Sequence, residues 1–185
     1  MRNFAIPVFL LLLISGLYPG DVRGDEAAEY PHLVSVDAGG VVRWLGDPSL
    51  LVLEVNYRYM PGMAGLDLAF AYRTSAATFE DLPLINAYVL YVGPVLGIGE
   101  WQDRSGPWLR ARAAAAYGRI SGVYELEDGT SGPFFDDNLW FGGTGHAGYS
   151  LRRANGRFAI EPYIGFQYLF GYFFPGFGAY LGYAF

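Results

Sequence analysis

Charged residues in the first part of this sequence fall on only one of two alternating faces. In segments 33–44, 50–60 and 66–75, apolar residues recur at every second position, and every charged residue lies between them. A period of two is that of a β-strand, whose successive side chains point to opposite sides. Several strands with one apolar and one charged face have few ways to fold, because all the apolar faces must turn to the same apolar surroundings.

Five further segments extend this pattern, at 84–98, 108–118, 138–151, 157–169 and 177–185. The first of them is apolar on both faces and also fits a short membrane helix, but Gly93-Pro94 interrupts it and it is shorter than a typical span. We predict eight strands in all. Pro162 falls on the apolar face of the seventh, where we expect a bulge or a missing hydrogen bond because proline has no N–H.

The alanine run 113–116 favours a helix by intrinsic propensity. Arg110 and Arg112 precede it at alternate positions, as the charges do in the first three segments. We therefore predict a strand here as well.

The start of the chain is typical of an export signal. Arg2 precedes an uncharged apolar run at 4–17, which is short for a membrane helix, and small residues at Val22 and Gly24 favour cleavage before Asp25. Cleavage after Gly20 and an uncleaved anchor are the alternatives. We predict a cleaved signal peptide at 1–24, a short periplasmic segment at 25–32 and a barrel domain at 33–185, long enough for eight strands of roughly ten residues with their loops.

The composition suits a wall that faces hydrocarbon. Only 16% of residues are charged and 18% are aromatic, whereas soluble domains have roughly a quarter charged. There is no cysteine, so disulfides and thiolate metal sites are excluded, and a net charge of −6 gives no reason to expect nucleic acid. The predicted fold class is all-β: an eight-stranded antiparallel transmembrane up-and-down β-barrel, preceded by a signal peptide.

The last alternating segment ends in Tyr183-Ala184-Phe185. With the export signal and the two-residue repeat, this ending resembles the small eight-stranded outer-membrane β-barrel proteins of Gram-negative bacteria, the group of OmpA-, OmpX- and OmpW-type barrels. Tyr183 and Phe185 are similar to the signal read by the barrel-assembly machinery, although Tyr180 stands where that pattern has glycine. The resemblance implies a monomer in the outer membrane, without a cofactor or metal. Its partners would be outer-membrane lipids, lipopolysaccharide, periplasmic chaperones and the assembly machinery.

The inward faces predict what fills the barrel. The lumen of an eight-stranded barrel is just wide enough for side chains, and buried charges must pair there. We predict a lumen charge network, although its pairing depends on the stagger of the strands; its members are Asp37, Arg43, Glu54, Arg58, Asp67, Arg73, Arg110, Arg112, Arg157 and Glu161. The role would then be structural or one of surface interaction, and the alternative is passage of small hydrophobic molecules.

The sequence also predicts features of the outer loops and of the two rims of the barrel. Segment 121–137 is predicted to be the longest outer loop, and its Phe134, Phe135, Asp136 and Asp137 would form a candidate docking site. Aromatic girdles are expected at both rims. Their tryptophans would be Trp44 and Trp140 at the outer rim, and Trp101 and Trp108 at the periplasmic rim.

An enzyme is a second alternative. His146, Ser150 and Glu161 are the residue types of a catalytic triad on neighbouring strands, which would suit lipid A modification. The simpler interpretation is that His146 is a satisfied lumen residue, and the His-x-Ser-Asn run of one lipid A deacylase family is missing. His32 is expected to be a solvated linker residue before the first strand.

Overall fold

The eight predicted strands form a closed barrel. The structure, a computed structural model, describes residues 30–40, 50–75, 84–98, 105–125, 131–153 and 157–185. Each strand pairs antiparallel with its neighbours in the chain, and the last pairs with the first, which confirms the predicted fold class. The strands are β1 (His32–Asp37), β2 (Leu50–Tyr59), β3 (Ala64–Ser75), β4 (Leu84–Gly97), β5 (Gly106–Glu125), β6 (Ser131–Arg153), β7 (Phe158–Leu169) and β8 (Tyr172–Ala184).

Helical structure is minor. Residues 38–40, which follow β1, are helical. Within the described ranges, no helix has the length and apolar character needed to cross a membrane. The predicted signal peptide lies outside the described residues.

The barrel closes at the seam between β1 and β8. His32 and Phe185 exchange two backbone hydrogen bonds of 3.2 and 3.0 Å. The His32 ring stacks on Phe185 and Tyr59, with centroids 5.5 and 5.0 Å apart, and its Nδ1 lies 2.7 Å from the Tyr57 hydroxyl. The expectation of a solvated linker at His32 is therefore wrong, because this residue begins β1 and fixes the seam.

Side chains alternate between the two faces of the wall. Apolar residues point outward on every strand from β2 to β8, and the most exposed, Phe177 and Phe141, keep 77% and 71% of their surface accessible. Trp108 was expected in the periplasmic girdle, but it is only 1% exposed and points into the lumen. Its position has the same parity as Arg110 and Arg112, so the alternation outweighs the tendency of tryptophan to lie at the rim. Trp44 and Trp101 lie outside the described residues.

Two prolines interrupt the hydrogen-bonded ladders. Between β6 and β7 the pairing runs from Gly148–Tyr163 directly to Leu151–Ile160, so it skips Pro162, as predicted. Between β4 and β5 it skips Gly93 and Pro94. Proline has no N–H to donate, and both interruptions lie in the wall.

The β5–β6 hairpin is longer than predicted. Its pairing continues to Glu125–Ser131, so Phe134, Phe135, Asp136 and Asp137 lie on a strand. The prediction of a loop over 121–137 is therefore wrong for 121–125 and 131–137, and residues 126–130 lie outside the described residues. The β6–β7 pairing reaches only Gly143–Tyr168. Among the described strands, residues 131–142 of β6 therefore pair on the β5 side only.

Candidate functional site

The lumen is layered along the barrel axis. At the end that holds Tyr30 and Phe185, called here the terminus end, a small apolar cluster contains Leu33, Ala159 and Ala184. Polar and charged side chains fill the middle. The opposite end, called the far end, is closed by a larger apolar cluster: Ala69, Ala71, Ala87, Val89, Tyr91, Ala114, Ala116, Leu169 and Phe170.

Six buried charges in the middle layer form the lumen charge network, which is Glu54, Arg58, Asp67, Arg110, Arg112 and Glu161. Asp67 lies at its centre and is fully buried. Its carboxylate accepts hydrogen bonds from Arg58 Nε at 3.4 Å, Arg110 Nη1 at 3.2 Å and Arg112 Nη1 at 3.3 Å. One carboxylate therefore holds three guanidinium groups together.

Two outer pairs complete the charge balance. Arg58 Nη1 donates to Glu161 Oε1 at 2.8 Å, and Arg112 Nη1 donates to Glu54 Oε1 at 2.9 Å. Three positive and three negative groups thus share one water-poor space, which lowers the cost of burying each of them.

Local folding explains part of this arrangement. The tight β2–β3 connection places Arg58 directly opposite Asp67 in the ladder. Arg110 and Arg112 share one parity of β5 and reach across the lumen from the other side.

Aromatic rings line the same space. Arg110 lies over the ring of Tyr180, with its Cζ 4.7 Å from the centroid, and Arg112 lies over Tyr91 at 4.5 Å. Trp108 contacts Arg58 and Arg110 at 5.0 and 5.2 Å. A planar guanidinium both stacks on aromatic faces and donates along its edge, which suits arginine better than lysine to this packing.

His146 belongs to this network as an uncharged ring. Arg110 Nη2 lies 2.7 Å from His146 Nδ1, and a guanidinium can only donate, so Nδ1 is the acceptor and the ring proton sits on Nε2. Arg110 also donates to the Tyr180 hydroxyl at 2.6 Å, which in turn donates to Glu54 at 3.1 Å.

The residues of the hypothetical triad are not connected. Glu161 is bound to Arg58 and His146 to Arg110, while the buried Ser150 hydroxyl has no hydrogen-bond partner among the described residues. Nucleophilic catalysis needs a hydrogen-bonded nucleophile, base and orienting acid, and this geometry does not provide them.

The other predicted network residues lie elsewhere. Asp37 is buried, and its Oδ1 accepts the Gly39 N–H at 2.9 Å, at the turn that ends β1. Arg73 is half-buried and forms no ion pair within the described ranges, and Arg157 lies at the rim of the terminus end. Arg43 lies outside the described residues. No group of three His, Asp or Glu side chains in the described part of the chain is arranged to hold a metal ion.

The far-end cluster has an aromatic cover. The β7–β8 turn places Phe170 at φ 55°, which is unusual for a residue other than glycine, and buries its ring. This ring meets Trp140 edge to face at 5.2 Å. Next to this cluster, on the side of the polar layer, Gln167 donates to the Tyr91 hydroxyl at 2.8 Å.

A shallow apolar groove of about 440 Å³ crosses the outer wall from β4 to β7, where the ladder skips Pro94. Two of its lining residues, Arg112 and Thr144, also have side chains in the lumen, and Arg112 Nε donates to Thr144 Oγ1 at 3.1 Å. The remaining lining residues are Val92, Gly93, Pro94, Ala111, Ala113, Gly143, Phe166 and Tyr168.

Comparisons with known proteins concern the fold. No protein-family model matches the sequence, and no curated protein matches it. Solved structures that are similar include two of the outer membrane protein Ail of Yersinia pestis. The backbone structure in a phospholipid nanodisc is 18% identical, with a TM-score of 0.46, and the alignment covers 83% of this chain and 97% of Ail. The crystal structure with the heparin analogue sucrose octasulfate is 20% identical, with a TM-score of 0.41, and its alignment covers 83% of this chain and 94% of Ail. At these values nothing about function is carried over.

Proposed function

We propose that this protein is an integral outer-membrane barrel that does not conduct, and that its role is structural or lies in contacts made at the cell surface. The observation that carries the proposal is a closed barrel with an apolar outside and with its charges paired inside. A soluble protein has the reverse arrangement.

The wall supports a place in a bilayer. Large apolar side chains are exposed around the barrel, far beyond the patches of a few hundred Å² that soluble monomers tolerate. Only helices and closed barrels satisfy every backbone group in hydrocarbon, and this barrel has no free edge across its wall. Exposed tyrosines lie toward both rims, as in the interfacial girdles of membrane barrels: Tyr59, Tyr149 and Tyr183 toward the terminus end, and Tyr88, Tyr117 and Tyr172 toward the far end.

The lumen supports a barrel without a pore. A solute that entered from the terminus end would have to displace paired charges, and breaking one buried pair costs about 3–5 kcal/mol. Beyond them lies the apolar far-end cluster, where the buried Phe170 ring packs against Trp140. With an even number of strands, the terminus end would face the periplasm and the far end the outside.

The long β5–β6 hairpin supports a surface role. Within the part of the chain that the structure describes, no strand pairs with residues 131–142 of β6 on the β7 side, and an unpaired strand edge is a template for an extended segment of another protein. Its rim carries an exposed ion pair, in which Arg119 donates two hydrogen bonds of 2.7 Å to Asp137. Lipopolysaccharide, the periplasmic chaperones and the assembly machinery are the further partners of this proposal, and the barrel would be a monomer.

Two measurements test the proposal. Cell fractionation should place the protein in the outer membrane, and the purified folded barrel should give no stepwise conductance in planar bilayers. A protein found in the aqueous fraction would refute the membrane assignment. Well-defined conductance steps would refute the closed lumen while leaving the membrane assignment intact.

Passage of small hydrophobic molecules is the second candidate function. The groove at the broken β4–β5 ladder favours it, because the groove is apolar and reaches two residues whose side chains lie in the lumen. Ala113→Trp would fill the groove, whereas Ala115→Trp, two residues along on the same outer face, would not. Uptake of a hydrophobic dye by cells that is lost only with Ala113→Trp would establish this route, and equal uptake by both variants would exclude it.

A further inference from the structure

The guanidinium of Arg157 is held in place by the hydroxyl groups of two tyrosines. Arg157 precedes β7 at the terminus end, where its Nε donates to the Tyr30 hydroxyl at 3.1 Å and its Nη1 to the Tyr183 hydroxyl at 3.2 Å. Its Cζ also lies 5.2 Å from the Tyr30 ring centroid. The backbone is fixed as well, since the Arg157 carbonyl accepts the Ala184 N–H at 2.6 Å. The guanidinium is therefore oriented although it is half exposed.

The positive charge of Arg157 has no counter-ion in the described part of the chain. Both of its side-chain partners are neutral hydroxyls, and they raise the pKa of Arg157, Tyr30 more than Tyr183, because they accept from the charged form. Arg119, the exposed arginine toward the far end, has Asp137 as its partner. Arg157 keeps its Nη2 donors and one Nη1 donor for an anion.

The location points to a membrane interface. Tyr183 and Phe158 are outward residues that meet edge to face at 5.4 Å and remain 41% and 59% exposed. Aromatic side chains of this kind lie at the headgroup level, so the guanidinium bound to Tyr183 lies close to the phosphates of the lipid. The Tyr30 backbone is held as well, because Arg152 Nη1 donates to the Tyr30 carbonyl at 3.4 Å.

Arginines are frequent around the turn between β6 and β7, where three lie within 152–157. A planar guanidinium matches the paired oxygens of a phosphate.

We propose that Arg157 binds the phosphate of an anionic glycerophospholipid headgroup in the leaflet at the terminus end. This inference rests on the proposed membrane location. An arginine near an anionic surface gains about 1 kcal/mol, which corresponds to about a fivefold preference for an anionic over a zwitterionic lipid.

Native mass spectrometry of the folded barrel tests this preference. The protein is released from mixed micelles that contain equal amounts of phosphatidylglycerol and phosphatidylethanolamine, and the retained lipids are counted. The wild type is expected to retain phosphatidylglycerol about fivefold over phosphatidylethanolamine. Arg157→Gln should bring the ratio close to one. Arg119→Gln removes an exposed arginine of the opposite end and should leave the ratio unchanged.

The outcomes separate the two proposals. A wild type that folds and inserts into vesicles but retains both lipids equally refutes the headgroup site alone, as does a preference that survives Arg157→Gln. Displacement of the retained lipid by excess inorganic phosphate would show a site for free anions instead of a headgroup site. A protein that does not insert into vesicles would refute the membrane location itself. The shift in gel mobility between heated and unheated samples verifies that each variant is folded.

Discussion

Removing the charge of Asp67 is expected to destabilise the barrel more than any other single change of charge in the lumen. In Asp67→Asn the shape is kept, but three guanidinium groups then share two carboxylates, and the new amide N–H₂ faces donors at 3.2–3.4 Å. Unit charges about 4 Å apart attract by about 4 kcal/mol at an effective dielectric constant near 20, so the gross attraction to three arginines is on the order of 10 kcal/mol. Desolvation of the carboxylate offsets much of it, and the expected loss is about 3–5 kcal/mol.

Urea titration of the barrel in detergent or vesicles measures this loss, and tryptophan fluorescence, to which Trp108 in the lumen contributes, reports the transition. For a slope of about 2 kcal/mol per molar urea, the midpoint should fall by roughly 2 M. Asp137→Asn is the matched control, because it removes the same charge from an exposed pair, and its midpoint should stay close to that of the wild type.

A double variant keeps the test sharp even if Asp67→Asn folds poorly. Asp67→Asn with Arg110→Met restores a neutral lumen of two arginines and two glutamates. Its loss should therefore be smaller than the sum of the two single losses by at least about 2 kcal/mol. Strictly additive losses, or an Asp67→Asn midpoint equal to that of the wild type, would refute the view that charge balance holds the network together.

Three further predictions concern packing, backbone and ionisation. Gly148→Ala would press a methyl group against Trp108 and the Pro162 carbonyl and should cost about 1–3 kcal/mol in urea unfolding, while Gly176→Ala, which has open space, should cost less. Gly171→Ala should cost about 1 kcal/mol because its φ is +80°, and Gly62→Ala, equally open but without a positive φ, is its control; equal losses would contradict the backbone argument. The hydrogen bond from Arg119 holds the pKa of Asp137 below its usual value, so the pair should persist at neutral pH and be lost only as pH falls through that lowered pKa. A carboxyl NMR titration should show this, and Arg119→Gln should return the pKa to its ordinary value; an unchanged titration in that variant would count against the pair.

The alternation of the sequence was sufficient to assign side chains to the inner or the outer face of the wall. Asp67, Arg110 and Glu161 all point inward, as their parity indicates, because a two-residue period assigns each side chain to one face. Trp108 has the same parity as Arg110 and also points inward, because the alternation of the strand outweighs the tendency of tryptophan to lie at membrane rims. Alternate positions predict the face of a side chain within a strand, but not at the end of the strand. Arg157 precedes β7 by one residue, so its side chain turns to Tyr183 on the outer face.

The alternation does not predict how far along the barrel axis each side chain lies. The pair of Arg58 and Asp67 follows from a short hairpin, but the contact of Arg58 with Glu161 crosses the lumen and depends on the stagger of all eight strands. The extent of the β5–β6 hairpin was missed for a related reason. The glycine- and acid-rich segment 121–137 has weak apolar alternation, since outside the membrane neither face is required to be apolar.

The positions of the six network charges along the chain have a consequence for assembly. Arg58, Asp67, Arg110, Arg112 and Glu54 all belong to strands β2 to β5, and only Glu161 comes from β7. A sheet formed from β1 to β6 would carry three guanidinium groups from this set against two carboxylates, and its surplus charge would have to stay hydrated. The set becomes neutral only when β7 contributes Glu161, so the interior can be dehydrated at low cost only once the seventh of the eight strands is in place.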